Sequence, residues 1–215
     1  MKLVEQTIGR YSDLLASDFP TPGGGSTAAL NGVLGCSFIA MIAGITLKKA
    51  AGSDGTALLQ RIGEQAESLR NILLALVDED TDAYKGIMAA RSMPQPTDSL
   101  RGALKTAVET PYRILQAAHA ALDLARSLSK NYYAGTASDL ALAALNLEAA
   151  ARGAYLTVRI NLNHLGDIGA AGAAVSDTEY IRHKAGESAG RLAEAEDMAR
   201  SIYDGAKALL DRGKI

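Results

Sequence analysis

The sequence predicts an all-α protein, a bundle of about six helices packed around one buried apolar helix. Three observations carry that expectation. The chain is rich in Ala, Leu and Gly, with no Trp and two Phe, so strand-favouring residues are scarce beside good helix formers. Apolar residues recur at steps of three and four along most of its length. From Phe19 to Leu47 no Asp, Glu, Lys or Arg occurs, in a run that opens on Pro, Gly and Ser and then turns apolar. At 215 residues the chain can bury one core, and no linker divides it, so residues 1–215 are read as a single domain.

Leu3, Ile8, Tyr11, Leu14 and Leu15 stand at helical spacing and predict a first helix over about 3–16, stopped by Pro20 and Pro22. Ser26, a good N-cap residue, is expected to open a second helix reaching about Lys49. Its uncharged length satisfies the ~20 apolar residues of a membrane span. A central helix wrapped by others is also apolar all round. Asn31, Ser37 and Thr46 interrupt this run and Gly32, Gly35 and Gly44 thin it, so burial is the reading adopted. A third helix is expected from about Ser53 to Ala90, ending before "MPQP". A fourth runs from about Asp98 to Ser129 with a kink or break at Pro111. "NYYAGTASD" reads as a loop, after which Ser138 or Thr136 caps a fifth helix to about Leu165. "GDIGAAGAA" then turns the chain into a last helix from about Ser176 to Leu210.

A formal net charge of −2 and a pI near 5.9 offer no general attraction to nucleic acid or to an anionic membrane. The single cysteine, Cys36, excludes an internal disulfide framework, and in "LGCSFIA" it reads as a small core residue. The opening "MKLVEQTIGRYSDLL" lacks the apolar centre of a signal peptide, so the cytoplasm is the expected location. His119, His164 and His183 stand apart from one another without metal-ligand spacing, and no metal site is expected.

The third helix carries a chemical signal. Its stripe of Leu58, Ile62, Ala66, Leu69, Leu73, Leu76, Ala83 and Ile87 has one gap, and the residue in phase with that gap is Asp80. Asp78 and Asp82 fall about 200° away, on the solvent side. Only one carboxylate of "DEDTD" in that trio thus points inward. Burial raises a carboxyl pKa toward values useful for proton transfer. The competing reading is a structural carboxylate bonded to a neighbouring helix end.

On the fifth helix Asp139, Asn146, Thr157, Asn161 and His164 share one face, while Glu148, Arg152, Tyr155 and Arg159 share the other. The first set is a polar ladder turned inward, able to satisfy itself or to hold a polar ligand. Asp139 also fits a plain capping role at the helix start. The glycines of "PTPGGGSTAAL" either make a tight turn or let backbone N–H groups approach an anion or carbonyl oxygen. The stretch is not a P-loop, since no Gly-Lys-Ser/Thr follows.

Five segments in order, "PTPGGGSTAAL" (20–30), "DEDTDAY" (78–84), "ETPYR" (109–113), "SDLALAA" (138–144) and "VRINL" (158–162), resemble the cyclodeaminase/cyclohydrolase family. That family includes the cyclodeaminase half of formiminotransferase-cyclodeaminase and free-standing methenyltetrahydrofolate cyclohydrolases. The resemblance spans about residues 5–205 and implies an all-helical homodimer acting on folate-bound one-carbon units, with no metal or cofactor. It implies Asp80 as the catalytic carboxyl, with Asp139 beside it in the catalytic set. It implies substrate contacts from Pro22, Gly23, Gly24, Gly25, Ser26, Tyr84, Ser138 and Asn161, and from Lys48 or Lys49 to the substrate's glutamate carboxylates. Two departures stand out: "TLKKAAG" replaces a Gly-Lys-Lys-Tyr-like run, and Thr81 replaces a typical alanine. The alternative class is a non-catalytic helical dimer that binds a folate or a protein partner.

Overall fold

The computed structural model describes residues 2–49, 56–94, 97–170 and 175–212, and every one of its long elements is a helix. After a 3-10 turn at Leu3–Glu5 come α1 (Ile8–Leu15), α2 (Gly24–Lys49), α3 (Thr56–Arg91), α4 (Thr97–Leu128), α5 (Ala137–Ala170) and α6 (Val175–Asp211). A second 3-10 turn, Ala134–Thr136, leads into α5.

Helix α2 is the axis of the bundle, packed on α3, α5 and α4. Its small residues explain how. A Cβ at Gly32 would run into the Leu73 side chain of α3, and one at Gly35 would overlap Leu147 and crowd the Ala143 carbonyl of α5. The two neighbours therefore approach to backbone distance, and their Leu side chains fill the space that α2 leaves. Leu73, Leu76, Leu147, Ile39 and Ile42 are fully buried, each worth about 1.5–3 kcal/mol of hydrophobic stabilisation. These contacts also set the directions: Gly32 against Leu73 and Ala28 against Gly153 make α2 antiparallel to both α3 and α5. Helix α2 is long and apolar enough to cross a membrane, yet it lies among the other helices with its small-residue faces covered.

Four boundaries differ from expectation. The helix expected over about 3–16 is divided into the 3-10 turn Leu3–Glu5 and α1, which begins at Ile8 with Thr7 as N-cap accepting the Arg10 N–H at 3.1 Å. Helix α2 begins at Gly24, two residues before Ser26, because a carboxylate from another helix serves its first turn. Thr136 precedes α5 but its hydroxyl donates to the Tyr133 carbonyl (2.7 Å), so neither expected cap is realised there. Helix α5 continues past Leu165 to Ala170, through Gly166 and Gly169, while residues 171–174 of the expected turn lie outside the described residues. Residues 53–55 of the expected third helix lie outside them too.

Helix α4 runs unbroken through the buried Pro111. Proline has no N–H, so the carbonyl four residues back, Ala107, loses its intrahelical donor. The side-chain amide Nδ2 of Asn161 on α5 donates to that carbonyl at 2.6 Å. The outer seam between α4 and α6 is closed by charge. The buried Asp177 pairs with Arg101 at 2.8 Å and Lys105 at 2.7 Å, which hold its carboxyl below the usual carboxylate range.

Candidate active site

Helix α2 starts level with Asp80, but α3 and α5 run on beyond that point. The space that α2 does not occupy is a trough of about 490 Å³ between them, within the range of small-molecule sites. Its closed end is built by Gly23, Gly24 and Gly25 with Asp80. Along its length α3 contributes Tyr84, Ile87 and Arg91, and α5 contributes Gly153, Leu156, Thr157, Ile160, Asn161 and His164. Pro20 and Thr21 border the same end, and a cis Thr21–Pro22 bond lies in the turn that delivers the chain to α2.

Asp80 is half-buried and held by one oxygen. Its Oδ2 accepts from the Ser26 backbone N–H at 2.8 Å and from the Ser26 hydroxyl at 3.0 Å. The Ser26 hydroxyl also lies 3.3 Å from that of Thr81, so the Thr81 departure lengthens the hydrogen-bonded chain. The other oxygen, Oδ1, takes no hydrogen bond from the described residues and lies against Gly25, where any Cβ would overlap the carboxyl. That close approach is what the third glycine of the triplet is for. Burial pushes the Asp80 pKa up, and the two Ser26 hydrogen bonds pull it partly back. Gly24 and Gly25 open α2, and first-turn N–H groups have no intrahelical acceptor. The turn is braced by the Thr27 hydroxyl donating to the Gly23 carbonyl (2.9 Å) and by Tyr11, 3.3 Å from Thr27.

The other three carboxylates of the acidic run are elsewhere. Asp78 accepts from the Leu3 N–H, Glu79 pairs with Arg113 of α4, and Asp82 pairs with Lys85 at the surface.

Several expected site residues are not in this trough. Lys48 stands 23 residues beyond Gly25 on the same helix, about 35 Å along its axis. Asp139 and Ser138 lie at the start of α5, about 27 Å before Thr157 by the same rise. Asp139, Asn146, Thr157, Asn161 and His164 do share a face, but only the last three reach the trough. Asn146 instead bonds its own helix at the Leu142 carbonyl (2.8 Å). Pro22 is buried in the turn and Ser26 lies behind Asp80, so both support the site without lining it. Arg91 lines it and was not among the expected site residues, and His164, expected only as part of the inward ladder, lines it as well. Arg91 continues the spacing Asp80, Tyr84, Ile87 by four more positions, a signal that α3 would carry its stripe to its last turn.

Cys36 is buried in the core, its thiol pushed up to about 12 by burial, away from any nucleophilic role. His119 is paired with Glu194 at 2.8 Å between α4 and α6. Among the described residues no three His, Cys, Asp or Glu side chains converge as metal ligands.

A family model described as formiminotransferase-cyclodeaminase matches residues 7–178. A methenyltetrahydrofolate cyclohydrolase of Methylorubrum extorquens is 30% identical over 210 residues, covering 94% of this chain and 96% of that protein. A formimidoyltransferase-cyclodeaminase of Gallus gallus is 28% identical over 173 residues, covering 77% of this chain but 32% of the bird protein. The crystal structure of a formiminotetrahydrofolate cyclodeaminase from Thermotoga maritima superposes with a TM-score of 0.80 at 25% identity, over 98% of both chains. With most of its length under the family model and its helices in the same arrangement, the chain belongs to the formiminotransferase-cyclodeaminase family.

Proposed function

We propose that this chain is a folate one-carbon enzyme, of the methenyltetrahydrofolate cyclohydrolase or formimidoyltetrahydrofolate cyclodeaminase type, in which Asp80 moves the proton. The observation that supports the assignment is the division of labour in that carboxyl: Oδ2 is anchored by Ser26 while Oδ1, beside the trough, has no hydrogen-bond partner among the described residues. In the hydrolytic direction, water attacks the cationic methenyl carbon and Asp80 takes a proton from it. The bond from that carbon to N5 then breaks, N5 receives a proton, and the 10-formyl product leaves. In the deaminating direction, N10 attacks the formimino carbon carried on N5, the N10 proton is removed, and protonated nitrogen departs as ammonia. Both directions pass a cation near one carboxylate, which stabilises it electrostatically. Neither direction calls for a metal or cofactor, and the cytoplasm is the compartment proposed.

Following methenyltetrahydrofolate loss in water, and its formation from the formimino compound, distinguishes the two reactions. Asp80→Asn should lower kcat by roughly 10²-fold or more in whichever direction the wild type runs. Unchanged turnover would remove Asp80 from the mechanism.

The assembly proposed is a homodimer. Supporting it is an exposed stripe at heptad-like spacing on α5, Ser138, Leu142, Leu145, Leu156 and Ile160, continuous with Leu34 and Met41 on α2. A two-fold axis near Ala149 would set Ser138 and Asp139 of one copy beside Ile160 of the other. Light scattering should give twice the chain mass, and Leu145→Asp should shift it toward one chain. A wild type of single-chain mass overturns the pairing.

A further inference from the structure

The trough has opposite charges at its two ends and an apolar middle. Among the described residues Asp80 is the one carboxylate that lines it and Arg91 the one Lys or Arg that does. Between them lie Tyr84, Ile87, Leu156 and Ile160, the last two 65% and 50% exposed because none of the described residues covers them. Asp80 and Arg91 are 11 residues apart on one helix face, about 16 Å along the axis, and a helical Arg side chain leans back toward its N-terminus. Gly153 and His164 repeat the same interval on α5, so His164 stands at the Arg91 end. Among the described residues no carboxylate pairs with Arg91, so its guanidinium is open to a ligand.

We infer that Arg91, with His164 beside it, is the anion subsite that takes the terminal carboxylates of the substrate's glutamate, the role the sequence suggested for Lys48. This rests on the folate reading of the site. From the carbon between N5 and N10, the aminobenzoyl ring, amide and glutamate side chain extend about 10 Å at ordinary bond lengths. A carboxyl at Asp80 and a guanidinium leaning back from position 91 span that length. The aminobenzoyl ring then lies along Leu156 and Ile160, and a guanidinium fork meets a carboxylate through two parallel N–H···O bonds.

The test compares methenyltetrahydrofolate with the same methenyl pterin whose aminobenzoyl group ends in a neutral amide without glutamate. Wild type should favour the glutamate form by about tenfold or more in KM, the scale of a charge-assisted hydrogen bond. Arg91→Gln should cut that preference to about twofold, and Arg91→Lys should restore part of it. A preference undiminished in Arg91→Gln, in a variant with wild-type Tm, overturns the subsite. Equilibrium binding of the two ligands reads the same preference without turnover. A wild type that binds both and converts neither therefore overturns the reaction, while loss of the binding preference in Arg91→Gln still supports the subsite.

Discussion

Pro111→Ala separates the helix from the site. The substitution gives α4 a new N–H in its interior, positioned to bond the Ala107 carbonyl that Asn161 now occupies at 2.6 Å. Replacing proline inside a helix is worth up to about 3 kcal/mol. Against that stand about 1 kcal/mol for the displaced Asn161 bond and about 1 kcal/mol for ring atoms lost from a buried position. The net change is therefore within about 1 kcal/mol of zero or slightly stabilising. For a chain of 215 residues that corresponds to a Tm shift of about 2 °C. Activity should respond differently. Asn161 lines the trough, and its amide orientation is set by that one bond, so releasing it should lower kcat/KM by about tenfold, the cost of a mispositioned site group. Calorimetry and the methenyl assay, run on Pro111→Ala and Asn161→Ala together, check both halves. Full activity in Pro111→Ala would refute the idea that the proline exists to hold Asn161. A Tm loss above about 5 °C would refute the energy balance.

Two further substitutions bear on the carboxyl itself. Gly25→Ala puts a methyl where the Asp80 carboxyl stands, so turnover should fall by about 10²-fold while the helical far-ultraviolet spectrum is kept. Ser26→Ala removes a hydrogen bond that lowers the Asp80 pKa, so the acidic limb of kcat/KM should move to higher pH. A limb that stays or moves down would show that another group sets it. Asp80→Asn should leave Tm at neutral pH unchanged or raised. The folded-state pKa of Asp80 lies above its unfolded value, so the ionised form present at neutral pH costs the fold stability, and that cost grows as pH rises through the carboxyl range.

The sequence carried some of this plainly and some not at all. The gap in the α3 stripe selected Asp80 because helical phase determines which face a residue occupies. Phase says nothing about height. Asp139 lies on the same face as Asn161 yet some 22 residues earlier on α5, about 33 Å by helical rise, and only the stagger of α2 against α3 and α5 reveals that the trough begins where α2 begins. Lys48 lies off this trough for the same reason, at the far end of α2. The Pro111–Asn161 link joins residues 50 positions apart through a backbone carbonyl, which no local pattern encodes. The continuation of α5 through Gly166 and Gly169 was hidden because glycine weakens a helix by only about 1 kcal/mol and so does not by itself end one.

The two readings that competed for Asp80, helix cap and proton carrier, call on different atoms of one group: Ser26 holds Oδ2, and the proposed proton transfer would use Oδ1. A carboxylate at the first turn of α2 meets the positive end of that helix and the Ser26 N–H, both of which favour its ionised form. Burial in the wall of an apolar trough favours the neutral form, and it is the larger influence. A general base works best when neither form is overwhelmingly preferred, so the opposition is the useful feature. A cationic ligand entering the trough would tip the balance toward the ionised carboxylate, and the departure of that cation as it is converted to a neutral product would tip it back. The cap thus keeps Asp80 in place through both protonation states, because Ser26 offers its N–H to Oδ2 whatever the charge on Oδ1.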